Sequence, residues 1–500
     1  MNKMKLNKSF AGIIIACMLL AMAIPAVAAA EYPHNAQFLP YNDPNKLGKP
    51  TVTLPGTPGH TYVNPAYKSK MLTRNLLTTQ VTPSSTDWPQ FHYNAVHDGY
   101  SPSTGLPDDN STVWSTYFPA IGPTNPIIAN GKVFILTNYS GMYEPDDVPA
   151  INLTCLDEAT GSILWQTSGL SRLVHWGSWS SPATDGDYVY VSTDNQHYAI
   201  DANTGQIAWT FTSFNTNVNG GPSIASDSDL VFVSDSGDYY DVSKSGHYYA
   251  LNKTNNGSRV WTFDNSKTTT YDFRYAQASP AYDPSDKSVY VTGYNNAWPG
   301  SGADRGYLYK VDATTGDELW GGESVYPGDY FAGSASFDAD NVYVTSYNST
   351  GSAHLYAYSK SNGAPVWNAS IKSSDATPAI ADGIVYVSGG TAGSSPHGVY
   401  AFYTDDGSVV WCLDDDNTPT CHSNPEDLGG WTDSVSIADG YAFIGHENGT
   451  YPIYSYDKVY ALNAFTGDII WFYQQGGSTA AIANSKMYTL GNNGDLYRFG

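Results

Sequence analysis

Basic residues are scarce in this 500-residue chain, where 23 Lys and Arg stand against 47 Asp and Glu for a formal net charge of -24. That balance excludes nucleic-acid binding, because neutralising a phosphate backbone takes a basic surface and no local basic patch replaces one. Charge of either sign is sparse, at 14% of residues, where about 25% is usual. Cysteine is scarcer still, with four in all, no adjacent pair and no Cys-x-x-Cys-His string for an attached haem. No Ser-His-Asp spacing, His-Glu-x-x-His string or EF-hand loop is present, so hydrolase and calcium-sensor motifs give no lead. What abounds is Tyr at 40, Gly at 47 and Pro at 29, beside 13 Trp and 17 Phe. With 41% hydrophobic residues the chain can close a large core, and disorder is excluded.

Long apolar runs are also missing, with one exception at the N-terminus. Lys3, Lys5 and Lys8 precede an apolar stretch from Phe10 to Ile24, and Pro25-Ala-Val-Ala-Ala-Ala30 follows. Residues 1–30 therefore read as a secretory signal peptide. A retained anchor is the alternative, but the run falls short of the roughly 20 residues that span a bilayer. After cleavage no integral membrane segment is expected, and the protein is secreted or held at the cell surface. Residues 31–86 form a Pro-, Thr- and Asn-rich extended arm, although Tyr32, Phe38, Tyr41, Tyr62 and Tyr67 leave open its packing on the main body of residues 87–500. Export permits disulfides, and Cys412 with Cys421 closes a short turn-rich loop, leaving Cys155 as a buried thiol. Asn-x-Ser/Thr triplets start at Asn110, Asn138, Asn152, Asn252, Asn256, Asn348, Asn368 and Asn448, so the protein is an expected glycoprotein where the host modifies such sites.

One unit recurs from about residue 114. Glycine precedes tryptophan by four residues at Gly161/Trp165, Gly205/Trp209, Gly257/Trp261, Gly316/Trp320, Gly363/Trp367, Gly407/Trp411 and Gly467/Trp471. A short strand and a polar turn lead into each glycine, as in Leu308-Tyr-Lys-Val-Asp312-Ala-Thr-Thr315-Gly316. Asp or Asn bonds its own backbone, glycine takes a positive φ, and the next strand carries tryptophan onto a buried face. A second strand pair lies upstream of each hairpin, as in Thr377-Pro-Ala-Ile-Ala-Asp-Gly383-Ile-Val-Tyr-Val-Ser388, so each repeat supplies four strands. Successive tryptophans, starting at Trp114, lie 44 to 60 residues apart, the period of propeller blades. After Trp471 only three strands remain, while Ser111 to Phe118 is a tryptophan strand without its hairpin. Pairing the two fragments closes the ring. The expected fold is an all-β, eight-bladed β-propeller of four-stranded antiparallel blades, with seven blades as the alternative.

Ala199-Ile-Asp201-Ala-Asn-Thr204-Gly205-Gln-Ile-Ala-Trp209 resembles the tryptophan-docking motif of pyrroloquinoline-quinone (PQQ)-like propellers, and Asp87-Trp-Pro-Gln-Phe-His92-Tyr-Asn94 resembles their opening segment. The resemblance spans residues 87–500 and is specific for architecture. It implies either a noncatalytic surface or assembly propeller or a PQQ-dependent alcohol or sugar dehydrogenase. Such dehydrogenases hold the quinone between a tryptophan and a disulfide of adjacent cysteines, with calcium or a lanthanide and an aspartate base nearby. Adjacent cysteines are absent here, which favours the noncatalytic branch. The expected function is an exported scaffold with an extracellular protein or glycan partner, no cofactor, and PQQ with calcium as the alternative.

Blades converge where their first strands enter the central funnel, so a site is sought there. The position two before each small-residue start is Trp179, Asn219, Gln277, Asp375 and Thr432 on successive blades, interrupted by Ala332; Arg274, His175, Trp176, Tyr275, Tyr330 and Trp431 lie close in sequence. A mixed polar ring of this kind suits a sugar, a peptide or ordered water, and a wet propeller axis explains it equally. Asp414-Asp-Asp-Asn417 and Asp235-Ser-Gly-Asp238 supply oxygen ligands in the number a calcium site needs, and solvated loop acids explain them as well.

Overall fold

The computed structural model describes residues 86–107, 111–118, 124–137, 151–171, 180–215, 220–237, 244–295, 305–348, 351–391, 394–415, 421–448, 456–491 and 494–500. The chain divides into a unit Met1–Gly48 and a unit Lys49–Gly500. The expected signal segment and all of the arm except Thr86 lie outside the described residues.

Eight sheets make the propeller. Blade 1 comprises Ile127–Ala129, Lys132–Thr137, Ile151–Asp157 and Ile163–Leu170, in that order from the axis outward. Blades 2 to 7 repeat the plan within 183–212, 223–263, 281–323, 336–372, 379–414 and 436–473. Blade 8 takes Ala481–Ala483, Lys486–Leu490 and Asp495–Phe499 from the C-terminus, and Thr112–Tyr117 pairs antiparallel with Asp495–Phe499 as its outer strand. Eight blades closed by an N-terminal strand is thus the architecture. Because each blade is a meander, its first and third turns lie on one face of the ring, and its second turn and the link to the next blade lie on the other.

The recurring glycine and tryptophan meet across blade boundaries. Trp261, at the edge of blade 3, packs on Gly316 in the last hairpin of blade 4, where a Cβ would sit 2.7 Å from the indole and φ is +73°. Its Nε1–H donates to Ala313 O at 2.8 Å. The same donation runs from Trp114 to Glu158 O, Trp165 to Ala202 O, Trp209 to Lys253 O, Trp320 to Lys360 O, Trp367 to Thr404 O and Trp411 to Ala464 O. A bulge in each outer strand aims the indole inward; in blade 4, Lys310 faces Trp320 and Val311 faces Glu318, so Leu319 is extruded to solvent. The repeated Asp or Asn is the turn former expected, with Asp312 Oδ1 accepting from Thr314 N and Thr315 N at 2.8 and 2.9 Å. Trp471 is the exception: the outer strand of blade 8 is Thr112–Tyr117, which no hairpin joins to Asp495–Phe499, and the buried Nε1 of Trp471 has no hydrogen-bond partner among the described residues. Phe443 and Phe499 pack on it instead.

The opening segment makes a strap across the axis, a role the repeat pattern did not reveal. Trp88 exchanges backbone hydrogen bonds with Ile128 of blade 1, and Pro89 O accepts from Thr184 N of blade 2 at 2.8 Å. Gln90 Oε1 accepts from Ile224 N of blade 3, Ala95 O from Tyr282 N of blade 4, Asp98 O from Ile380 N of blade 6 and Gly99 O from Ile437 N of blade 7. His97 Nδ1 meets Ala335 O beside blade 5, and Thr86 O accepts from Asn484 N of blade 8. All eight blades are bound by one segment. Tyr100–Ser101 then adds a parallel fifth strand to blade 7. Burial lowers the pKa of His97 to about 3, so the strap carries that ring neutral.

Cys412 and Cys421 form the expected disulfide, with Cα atoms 4.7 Å apart. Cys155 is a buried thiol whose pKa burial pushes up to about 12. Of the glycosylation triplets, Asn152 is buried within a blade 1 strand and closed to modification as folded.

Trp261→Phe removes a donor and leaves Ala313 O unpaired, so it is expected to cost about 1–3 kcal/mol in urea unfolding. Trp471→Phe removes an indole N–H that bonds to nothing among the described residues and is expected to cost distinctly less. Equal losses for the two would overturn the assigned role of the indole donor.

Candidate functional site

Small residues begin the inner strands because neighbouring blades touch there. Gly221 N–H donates to Ser279 Oγ at 2.8 Å, Ser279 N–H to Ser334 Oγ, Thr377 N–H to Ser434 Oγ and Ser434 N–H to Thr479 Oγ1, each at 2.9 Å. A side chain on Gly333 would collide with the Asp375 carbonyl oxygen. Gln277, Ala332, Asp375 and Thr432, each two residues upstream of these contacts, therefore follow one another around the axis. Trp179 and Asn219, with His175 and Trp176, lie outside the described residues. Gln277, Asp375 and Thr432 are only 3%, 3% and 6% exposed.

Aromatic rings continue the site across blades 4 to 7. Tyr275 and Tyr294 lie 4.9 Å apart, Tyr294 and Tyr330 4.8 Å, Tyr330 and Tyr347 5.3 Å, and Tyr347 and Trp431 5.7 Å. Arg274 stacks its guanidinium 4.9 Å from the Tyr275 ring centre. Thr432 Oγ1 and Tyr456 Oη share a hydrogen bond of 3.0 Å.

Three buried acids stand beside this array. Asp375 N–H donates to Trp431 O at 2.7 Å, and Trp431 N–H donates to Glu447 Oε2 at 2.9 Å. Asp433 accepts from Gly445 N at 2.7 Å and from Thr479 Oγ1 at 3.2 Å. Burial nevertheless pushes Asp433 up to about 8 and Glu447 up to about 7, and lifts Asp375 well above the carboxylate range. Asp375 Oδ1 and Glu447 Oε1 make no hydrogen bond among the described residues. Buried His397 faces Glu447 and sets Nδ1 3.2 Å from Asp427 Oδ2. Asp433, Glu447 and His397 escaped the sequence reading. The available signal was an acid directly after Thr432, and a polar pair, His446-Glu447, ending an otherwise apolar strand.

Calcium finds no fit in the two acidic loops as described. Asp235 is fully buried and spent on Asn215, His247 and Tyr249. Asp414 bonds Tyr400 and faces Lys372, and Asp415 accepts from Asn424 N. Asp238, Asp416 and Asn417 lie outside the described residues, among which no group of three His, Cys, Asp or Glu is arranged to hold a metal. The axial residues fit PQQ with calcium no better. Cys412 is paired with Cys421 at the outermost strand of blade 6, away from the axis, and Asp433 already spends both carboxyl oxygens on Gly445 N and Thr479 Oγ1.

Residues 150–297 and 304–481 match the family model described as outer membrane protein assembly factor BamB. The chain belongs to the BamB family. Membership makes this BamB-family propeller an exported scaffold, secreted or at the cell surface. It is 24% identical over 343 residues to the tetrathionate hydrolase of Acidithiobacillus ferrooxidans, covering 64% of this chain and 63% of that protein's length. The quinohemoprotein alcohol dehydrogenase of Comamonas testosteroni superposes with a TM-score of 0.61 at 13% identity, over 86% of this chain and 84% of the other. BamB from Moraxella catarrhalis gives 0.52 at 17% identity, over 78% and 97%. Such distant structural likenesses show the fold alone. Among the described residues no helix is long and apolar enough to cross a membrane.

Raised carboxyl pKa values mean that the folded BamB-family propeller holds protons the unfolded chain has released. The contribution of these three acids is therefore fully present in acid and is lost as pH rises from about 4 toward about 8, whereas the histidines that burial holds neutral, His97 and His197, contribute in the opposite sense up to about pH 6.5. In thermal unfolding across that window the stability of Asp433→Asn relative to the parent is expected to shift in the variant's favour as pH rises. A stability difference between variant and parent that stays constant from about pH 4 to about pH 8 would refute the assignment.

Proposed function

We propose that this protein is a noncatalytic scaffold of the cell envelope that holds a protein partner on the loops linking one blade to the next. The observation that carries the reading is the strap. With one segment bonded to all eight blades and the inner-strand starts stitched together, the axis is built for rigidity, and the interblade links remain as presentable surface. Phe214 and Tyr326, on two of those links, are exposed aromatic residues of the kind that anchor protein interfaces. A photo-crosslinking residue at Phe214 or Tyr326 is expected to trap one discrete envelope protein on intact cells. The same probe at Thr315, on the opposite face, is expected to trap none. A protein left wholly free in the medium, with no adduct from either loop, would sink this reading. Added PQQ and calcium are expected to give neither tight binding nor dye reduction with alcohols or aldoses.

Protonated acids beside the axis, together with the likeness to tetrathionate hydrolase, favour a hydrolytic second reading. It is tested by incubating purified protein with tetrathionate at acidic pH. Consumption abolished by Asp375→Asn supports it, and no consumption rejects it.

A further inference from the structure

We propose that a cleft between blades 4 and 5, on the face opposite the interblade links, binds a neutral saccharide. This inference stands independently of the scaffold reading. The cleft has a volume of about 530 Å3, and Asp286, Lys310, Asn341, Ser359, Lys360 and Val366 are among its lining residues. That volume lies in the ordinary range of small-molecule sites, roughly 300–1,000 Å3. Two of the chain's 23 basic residues form its floor, each only 8% exposed. Lys360 reaches back from blade 5 to place Nζ 2.5 Å from Asp283 Oδ2, and Lys310 Nζ lies 2.6 Å from Asp286 Oδ2. Lys310 also donates to the Lys360 carbonyl oxygen at 3.4 Å, which joins the two pairs.

A broken repeat marks the place. In blades 2 and 5 a tyrosine five residues beyond the turn aspartate donates to it, Tyr190 to Asp185 Oδ2 and Tyr343 to Asp338 Oδ2, both at 2.8 Å. In blade 4 the interval from Asp283 to Tyr290 is seven residues, and Lys360 has taken the aspartate. The buried Tyr290 hydroxyl no longer bonds the turn aspartate and has Ser288 beside it, whose own hydroxyl donates to Asp286. Lengthening the turn thus costs a hydrogen bond found in other blades and puts two ion pairs in its place.

The charge balance selects the ligand class. Each ammonium is matched by a carboxylate, Asp283 or Asp286, and Asp340 adds a further one to the lining, so the cleft has no surplus of positive charge to attract an anion and its buried charges are already paired. What it offers is donors from lysine beside acceptors from aspartate and serine, the pattern that vicinal sugar hydroxyls answer because each both donates and accepts. Val366, half exposed at the rim, supplies an apolar surface for ring C–H groups.

Saturation-transfer NMR with methyl α-glucoside, methyl α-mannoside, methyl β-galactoside and maltose tests the inference, with inorganic phosphate and spermidine titrated in parallel as charged probes. Transfer to at least one of the four sugars is expected. It should fall to background in Val366→Trp, which fills the cleft from its rim, and persist in Val113→Trp on blade 8. Should Val366→Trp fail to give a parent-like thermal transition, Ser361→Trp in the neighbouring exposed turn serves the same purpose. No transfer from any of the four sugars, transfer indifferent to the filled cleft, or a response to phosphate or spermidine alone would each overturn the proposal.

Discussion

Every blade boundary but one depends on an indole laid across the hairpin of the next blade. The contact couples two requirements at a distance of some fifty residues: a large ring with one N–H to donate, and a glycine that both tolerates a positive φ and leaves room for the ring. Neither partner works without the other. Because the contact repeats, an error in one blade's hairpin is felt as a missing floor for its neighbour. The ring therefore stands or falls as a whole.

Where the repeat is cut, other devices carry the load. Blade 8 is assembled from both ends of the described chain, and Trp471 has no hairpin to dock on. Arg498 compensates on the far side of blade 8 by donating to Glu158 O and Ala159 O of blade 1 at 3.1 and 3.0 Å, alongside Trp114. The strap then ties both terminal blades to the other six. Closing the ring this way also pairs strands that would otherwise stand as open edges.

Tight packing at the axis has an electrostatic consequence. Stitching the inner strands through Ser279, Ser334 and Ser434 leaves no space for bulk water around Asp375, Asp433 and Glu447, so burial raises the pKa of all three, that of Asp433 to about 8. These acids are thus products of the architecture as much as candidates for function.

Blade number, strand order, the tryptophan docking and the Cys412–Cys421 bridge were legible in the linear chain, because each follows from local spacing: a turn, a period of two, or a short loop. Gln277, Asp375 and Thr432 were placed around the axis by the same periodicity. Their burial was not legible, nor was the protonation of Asp433, since both depend on side chains drawn together from several blades. The reach of Thr86 to Gly99 across all eight blades was equally hidden, for the segment has no period of its own and takes its shape from backbone groups offered by the ring. The cleft floor at Lys310 and Lys360 arose only when blade 5 was set against blade 4. Repeats write the scaffold into the sequence through short-range geometry, whereas burial and charge pairing are settled only when distant residues exclude water together.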